Sequence, residues 1–162
     1  MELQYAIAQG YETTEPQRGS EGAAGLDIYM PKLTDQFLTD FMDKNMLDTA
    51  PTEIYIRGGG SLIIPTGLRF NIPTNTYLEV ANRGSMGSKG LIFGAHIIDS
   101  DYVGIVFINL LNVGDRTYYF NPGNKFAQII HKEYIHSSLR VISEKEIKVT
   151  LRGSGALGST GK

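Results

Sequence analysis

At 162 residues the chain has the length of one domain, with room for a substantial core. It contains no cysteine, which excludes a disulfide frame, a thiolate nucleophile and a cysteine-rich zinc site. Lys+Arg total 15 against 17 Asp+Glu, a net charge of −2 that argues against an electrostatic binder of nucleic-acid backbones.

No apolar run approaches the roughly 18 residues of a membrane span, and the N-terminus lacks the apolar core of a signal peptide. The expectation is a soluble, intracellular protein. Residues 2–8 alternate loosely and suit a first strand. Gln9 to Gly22, polar and holding Pro16, reads as a surface loop. Ala23-Ala24-Gly25-Leu26-Asp27-Ile28-Tyr29-Met30 reads as a strand with a tight entry and one acid among apolar residues. The plain reading of Asp27 is a solvent-facing turn or bulge carboxylate.

Between 34 and 47 the period changes. Phe37, Leu38, Phe41, Met42 and Met46 recur at three- and four-residue steps, the helical spacing. Thr34 with Asp35 starts this helix, and Asp48 to Pro51 closes it. It looks inserted between strands, and a helix laid on a sheet accounts for it more simply than a protein-binding element.

Strands return at Ile54–Ile56, Leu62–Pro65, Leu68–Pro73 and Tyr77–Val80. Asn82 to Gly90 is Gly/Ser-rich and basic. Its amides, hydroxyls and Arg83 suit an anion, or it is an ordinary flexible loop. Leu91 to Ala95 and His96 to Asp99 read as two arms of a hairpin about Gly94. The octet Ile97 to Gly104 then carries Asp99, Asp101 and Tyr102. It fits a base or metal-binding carboxylate beside a ring that covers a sugar or nucleobase, but taken alone it fits a β-turn better. Val103 to Leu111 is apolar on both faces, which predicts burial on both sides, in an inner layer or at a subunit interface. Tyr118 to Phe120 pairs back, Asn121 to Asn124 turns, Phe126 to Ile135 is a long strand carrying Gln128, and Leu139 to Ile147 continues toward the tail. Short strands between Gly, Pro and Asn turns predict an all-β sandwich or barrel.

The tail, Arg152 to Lys162, combines Arg, hydroxyls and free amides in a glycine-rich run. It is not a Walker loop: Ala156 stands where the first glycine belongs. Alone it reads as a disordered tail.

Taken in order, five stretches resemble the motifs of the trimeric all-β dUTPases: Ala24–Asp27, Arg83–Gly87, Gly94–Tyr102, Pro122–Gln128 and Arg152–Gly161. The resemblance covers nearly the whole chain except 34–50. It implies a jelly-roll-like homotrimer with shared active sites, a β domain over 1–151 with the helical insert at 34–50, and a mobile arm over 152–162 closing over a site. The implied reaction is hydrolysis of dUTP to dUMP and pyrophosphate, which keeps uracil out of DNA and supplies dUMP for dTTP synthesis.

The resemblance also assigns roles. Asp99 activates the attacking water and Gln128 holds it. Arg83, Gly84, Ser85, Arg152, Ser159 and Thr160 ring the phosphates. Mg²⁺ bridges the phosphates and meets Asp27 through water. Backbone near Gly94, Ile97 and Ile98, with Phe107, reads the uracil edge, and Tyr102 excludes a 2′-hydroxyl. Leu157 and Gly158 cover the base. It further implies no direct nucleic-acid or membrane binding, and a location in the cytoplasm, that of a host if the chain is phage-encoded. Residues 34–50 are the place for an unknown protein partner.

Three positions depart from the family pattern. The second motif reads Arg83-Gly84-Ser85 rather than Arg-Ser-Gly, Leu157 replaces an aromatic lid residue, and His96 stands where a glycine is usual, as a packing residue behind the hairpin. The related dCTP deaminases require a Glu where this chain has Asn109. A non-catalytic nucleotide-binding or regulatory module of the same fold has no need of Asp27, Asp99, Gln128 and the tail together. An aspartic protease half fails because Asp99-Ser100 is followed by Asp101 rather than glycine.

Overall fold

The computed structural model describes residues 2–155. In chain order it comprises β1 (Gln4–Ile7), β2 (Gln17–Arg18), β3 (Leu26–Tyr29), α1 (Asp35–Asn45), β4 (Ile54–Ile56), β5 (Ser61–Pro65), β6 (Leu68–Asn71) and β7 (Thr76–Ala81). Then come α2 (Gly84–Gly87), β8 (Leu91–Phe93), β9 (Ile97–Ile98), β10 (Phe107–Asn112), β11 (Tyr118–Phe120), β12 (Lys125–Glu133) and a 3₁₀ turn at Glu144–Glu146. Strands β2-β3-β12-β7-β9 form the largest sheet and β5-β10-β8 a second, with β1–β6 and β4–β11 as two-stranded ribbons. All pairings are antiparallel, as the all-β reading expects. No helix among the described residues is long and apolar enough to cross a membrane.

The core gathers the inward residues of both sheets, with Ile64, Leu78, Ile108, Leu110 and Phe126 fully enclosed. Period-2 alternation selects them: Thr76, Leu78 and Val80 of β7 point inward while Tyr77, Glu79 and Ala81 do not. At the Asn121–Asn124 turn, Pro122 and Gly123 (φ 82°) take the two central places, where the second requires a positive φ. That turn is tied to the end of β3 by Gly123 N–H to Met30 O and Met30 N–H to Asn124 O, both 2.8 Å.

Helix α1 forms where its spacing predicts. The Thr34 hydroxyl accepts from Phe37 N at 3.2 Å, and the helix stops at Met46, whose φ of 53° is left-handed. Phe37 and Phe41 stack and are buried. Met46, counted in the apolar stripe by its spacing, is instead 90% exposed, because the helix has ended before it. The Asn45 side chain fastens the last turn to β5. Its amide donates to Ile63 O at 2.8 Å, and its oxygen accepts from Ile63 N at 2.9 Å.

Several expectations are corrected. The 9–22 loop contains β2 and a buried Tyr11, whose hydroxyl donates to Asp40. Residues 91–99 are not a hairpin. Strand β8 pairs with β10 while β9 pairs with β7, so Gly94 to His96 cross between sheets. Strand β11 pairs with the distant β4 rather than with the strand before it. Asn82 to Gly90 is not a free loop: it winds into α2, pinned by buried Met86. Strand β10 alternates, with Ile108, Leu110 and Asn112 buried while Phe107, Asn109 and Leu111 stay half open within one chain.

The paired strands of the chain end well before 151. Its last strand stops at Glu133, and beyond it only the 3₁₀ turn is regular among the described residues. Leu139, Val141 and Val149 are almost fully exposed there, and no strand forms within Leu139 to Ile147.

Candidate functional site

Two clefts gather most of the described residues singled out by the sequence. The first is built around Asp27. Strand β3 presents this carboxylate beside β12, where a bulge between Lys125 and Ala127 shifts the register. The bulge encloses both Phe126 and Ala127, places Gln128 opposite Asp27, and leaves Lys125 on the carboxylate's side. Asp27 is only 7% exposed, not the solvent-facing group its position suggests. Its Oδ1 accepts from Arg83 Nε at 2.8 Å and its Oδ2 meets Lys125 Nζ at 2.9 Å. Burial works against its ionisation, but the hydrogen bond from Lys125 and the Arg83 guanidinium outweigh burial and hold its pKa below the ordinary value. The same hydrogen bond raises the Lys125 pKa.

Gln128 donates from Nε2 to the Asn82 carbonyl at 2.7 Å. Its side chain lies over Gly25, where a Cβ would come within 2.3 Å of Gln128 Oε1 and push the end of that side chain aside. Arg83 stands at the N-cap of α2, whose turn carries Gly84 and Ser85. Arg83, Ser85, Lys89, Lys125 and Tyr118 line an open cavity of about 330 Å³. Three cations line this cleft, two of them on the Asp27 carboxylate, an arrangement suited to an anion.

The second cleft follows β9. Ile97, Ile98, Asp99, Tyr102, Val106 and Phe107 line a cavity of 200 Å³. Tyr102 N–H donates to Asp99 O at 3.1 Å, so the octet is a β-turn and a strand-end carboxylate at once. The Tyr102 hydroxyl donates to Ile105 O at 2.6 Å, and its ring lies across Gly104, where a Cβ would come 2.6 Å from that hydroxyl. The Asp99 carboxylate is exposed and has no hydrogen-bond partner among the described residues. Gly94 is held by its N–H to Asn109 O at 2.9 Å. His96 is not a packing residue: its exposed ring bonds Val80 O through Nδ1 at 2.8 Å, extending the β7–β9 pairing.

Asp27, Arg83, Ser85 and Gln128 are therefore gathered in one place, and Ile97, Ile98, Asp99, Tyr102 and Phe107 in another. Ile98 faces Leu78 and Leu78 faces His131, so Asp99 lies level with Lys132 on β12. Two strand spacings and a rise of four residues separate the backbones of Asp99 and Gln128 by roughly 16 Å. One chain cannot hold a single water between them. Arg152 is in neither cleft; its Nε donates to Gly155 O at 3.0 Å within its own exposed turn. Leu157, Gly158, Ser159 and Thr160 lie outside the described residues.

Sequence reasoning missed Lys125 and Lys89. Lys125 stands inside the Pro122–Gln128 stretch, but only the bulge turns it toward Asp27. Among the described residues no three acidic or His side chains gather to cage a metal. A lone carboxylate beside an anion cleft suits Mg²⁺, which keeps several waters and takes its remaining ligands from phosphates.

A dUTPase family model matches residues 47–161. The deoxyuridine 5′-triphosphate nucleotidohydrolase of Kluyveromyces lactis is 34% identical over 91% of this chain and 86% of its own. That of Paramecium bursaria Chlorella virus 1 is 32% identical over 91% of this chain and 90% of its own. Among solved structures, a mutant of the Staphylococcus bacteriophage 80alpha dUTPase with dUpNHpp superposes with a TM-score of 0.77 at 18% identity, covering 99% of both chains, a likeness of fold.

Proposed function

The chain belongs to the dUTPase family, and from that premise we propose that it hydrolyses dUTP to dUMP and pyrophosphate in sites shared between copies of a homotrimer. The observation that carries the shared site is the separation of the two clefts: the carboxylate of the anion cleft, Asp27, is already held by Arg83 and Lys125, and no cation is among the described residues that line the Asp99 pocket. Asp99 of one copy facing the Arg83–Lys125 cleft of another completes both. The half-open face of Phe107 and Leu111, and the exposed aliphatic row from Leu139 to Val149, support association through these surfaces.

In this reading the Asp99 carboxylate takes a proton from water as the water oxygen bonds the α-phosphorus. The bond from that phosphorus to the bridging oxygen breaks, and pyrophosphate leaves. Gln128, already oriented by the Asn82 carbonyl, holds the water. Arg83, Ser85 and the α2 backbone at Gly84 grip phosphate oxygens, and Lys125 and Lys89 add charge at the same cleft. Arg152, Ser159 and Thr160 come from the arm over 152–162, with Leu157 and Gly158 covering the base. Mg²⁺, when bound, would neutralise charge on the triphosphate, and Asp27 would meet its water shell.

The Asp99 pocket takes the nucleoside. Backbone at Gly94, Ile97 and Ile98 beside Phe107 pairs with the uracil edge, where a donor–acceptor mismatch rejects cytosine. Tyr102, braced on Gly104, packs on the deoxyribose and leaves no room for a 2′-hydroxyl.

The test is pyrophosphate release from dUTP, dCTP, dTTP and UTP with Mg²⁺. Turnover of dUTP alone is expected. Ammonia from dCTP without pyrophosphate would move the protein to the deaminases, and no turnover of any of the four would leave a binding module.

A further inference from the structure

Lys44 lies on the last turn of α1, outside the span matched by the dUTPase family model. Its position is fixed by its neighbour: Asn45 bonds both backbone groups of Ile63 on β5, and Ile63 faces Asn109 on β10. From there the Lys44 ammonium reaches over β5 to the Phe107 ring, 5.4 Å from its centroid. Phe107 is the β10 wall of the Asp99 pocket. The hydrogen bond and charge of Asp43, and then the charge of Asp40, raise the pKa of the ammonium above its ordinary value.

We propose that Lys44 is a positioning residue for nucleoside recognition, its ammonium holding the Phe107 ring as a fixed wall of the pocket. The proposal rests on the assignment of that pocket to the deoxyuridine moiety. A cation over an aromatic face is attracted by the ring's electron-rich centre. The flexible four-carbon stem of lysine lets the charge settle there from a helix on the far side of β5. A ring already held in one orientation loses less freedom when a ligand packs on it. The contact is present before and after the chemical step, so it acts on binding and not on the rate of bond breaking. The Lys44–Asp43 pair, 2.8 Å long and solvent-exposed, does not substitute for this role, since exposed pairs contribute little.

The experiment compares KM and kcat for dUTP, and calorimetric binding of dUMP, in wild type, Lys44→Met, Lys44→Arg, Asp43→Asn, Phe107→Leu and the Lys44→Met/Phe107→Leu double variant. Lys44→Met is expected to raise KM and the dUMP Kd together by about two- to fivefold, with kcat within about twofold. Lys44→Arg returns both constants toward wild type, and Asp43→Asn leaves them unchanged. In the Phe107→Leu background Lys44→Met adds nothing further. Unchanged KM and Kd in Lys44→Met, or an undiminished effect without the Phe107 ring, would overturn the proposal while leaving the pocket assignment standing. A wild type that neither hydrolyses dUTP nor binds dUMP would overturn the assignment and the proposal together.

Discussion

The two clefts differ in how finished they are. Around Asp27 the key side chains are already held: two cations on the carboxylate, a backbone carbonyl under Gln128, and a glycine that gives Gln128 its place. Around Asp99 the walls are set by Tyr102 and Phe107, yet the carboxylate stands in solvent. Preorganised charge is what phosphate binding needs, because gripping a polyanion with mobile side chains would cost their ordering at each turnover. A base must wait for a water and a substrate that arrive with another surface. On the proposed reading, the contrast is that of two complementary halves and not of one damaged site.

Mixing inactive variants strikes at that idea most directly. Asp99→Asn alone should lower kcat by about a thousandfold with KM little changed, and Arg83→Ala should abolish tight dUTP binding. Refolded together in equal amounts, the two should recover about a quarter of wild-type activity, since a site assembled from two chains then draws both intact halves part of the time. No recovery on mixing would return both halves to one chain. Removal of residues 152–162 should lower turnover by about a hundredfold while size-exclusion chromatography still finds a folded trimer; unchanged turnover would end the role of the arm as part of the site. Gly25→Ala tests the finished cleft more gently. Its methyl pushes Gln128 off the Asn82 carbonyl, and kcat should fall by about tenfold with less than about 1 kcal/mol lost in urea unfolding.

The smallest effect concerns pH. Because the Asp27 pKa is depressed in the folded chain, its ion pairs contribute fully above the ordinary carboxylate value of about 3.9. That contribution is lost as pH falls through the depressed value. Asp27→Asn should therefore cost about 1–2 kcal/mol at neutral pH, discounted for the partial exposure of its partners, and progressively less toward acid. An equal cost at every pH would show that shape and not charge holds β3 to β12 there.

Much of this architecture is legible in the sequence, for local reasons. Helix α1 announces itself by period and by its Thr34 cap, and the strands on either side of it by alternation and turn residues. The expected hairpin at 91–99 failed because two short apolar runs joined by a glycine look alike whether they pair with each other or with strands of different sheets. Strand β10 misled for a related reason: apolar residues on both faces predict burial on both, but one chain supplies only one cover. Asp27 and Lys125 were in view as letters. Their meeting depends on the bulge before Ala127, a half-step in register that alternation does not encode. The roles of Leu157 to Thr160 remain assigned by resemblance, and Lys44 was silent because its partner, Phe107, is brought near by tertiary packing alone.

The clasp between Asn45 and Ile63 has a consequence for anyone who would trim the protein. One side-chain amide presents the same donor and acceptor that a neighbouring backbone would, so β5 is closed at that point as if another strand lay beside it. Excising α1 as an ornament would leave those groups open along an apolar segment, Leu62-Ile63-Ile64. An edge of that kind recruits its like from other molecules, so the shortened chain is expected to precipitate or form fibres where Asn45→Ala in the full chain merely loosens a helix.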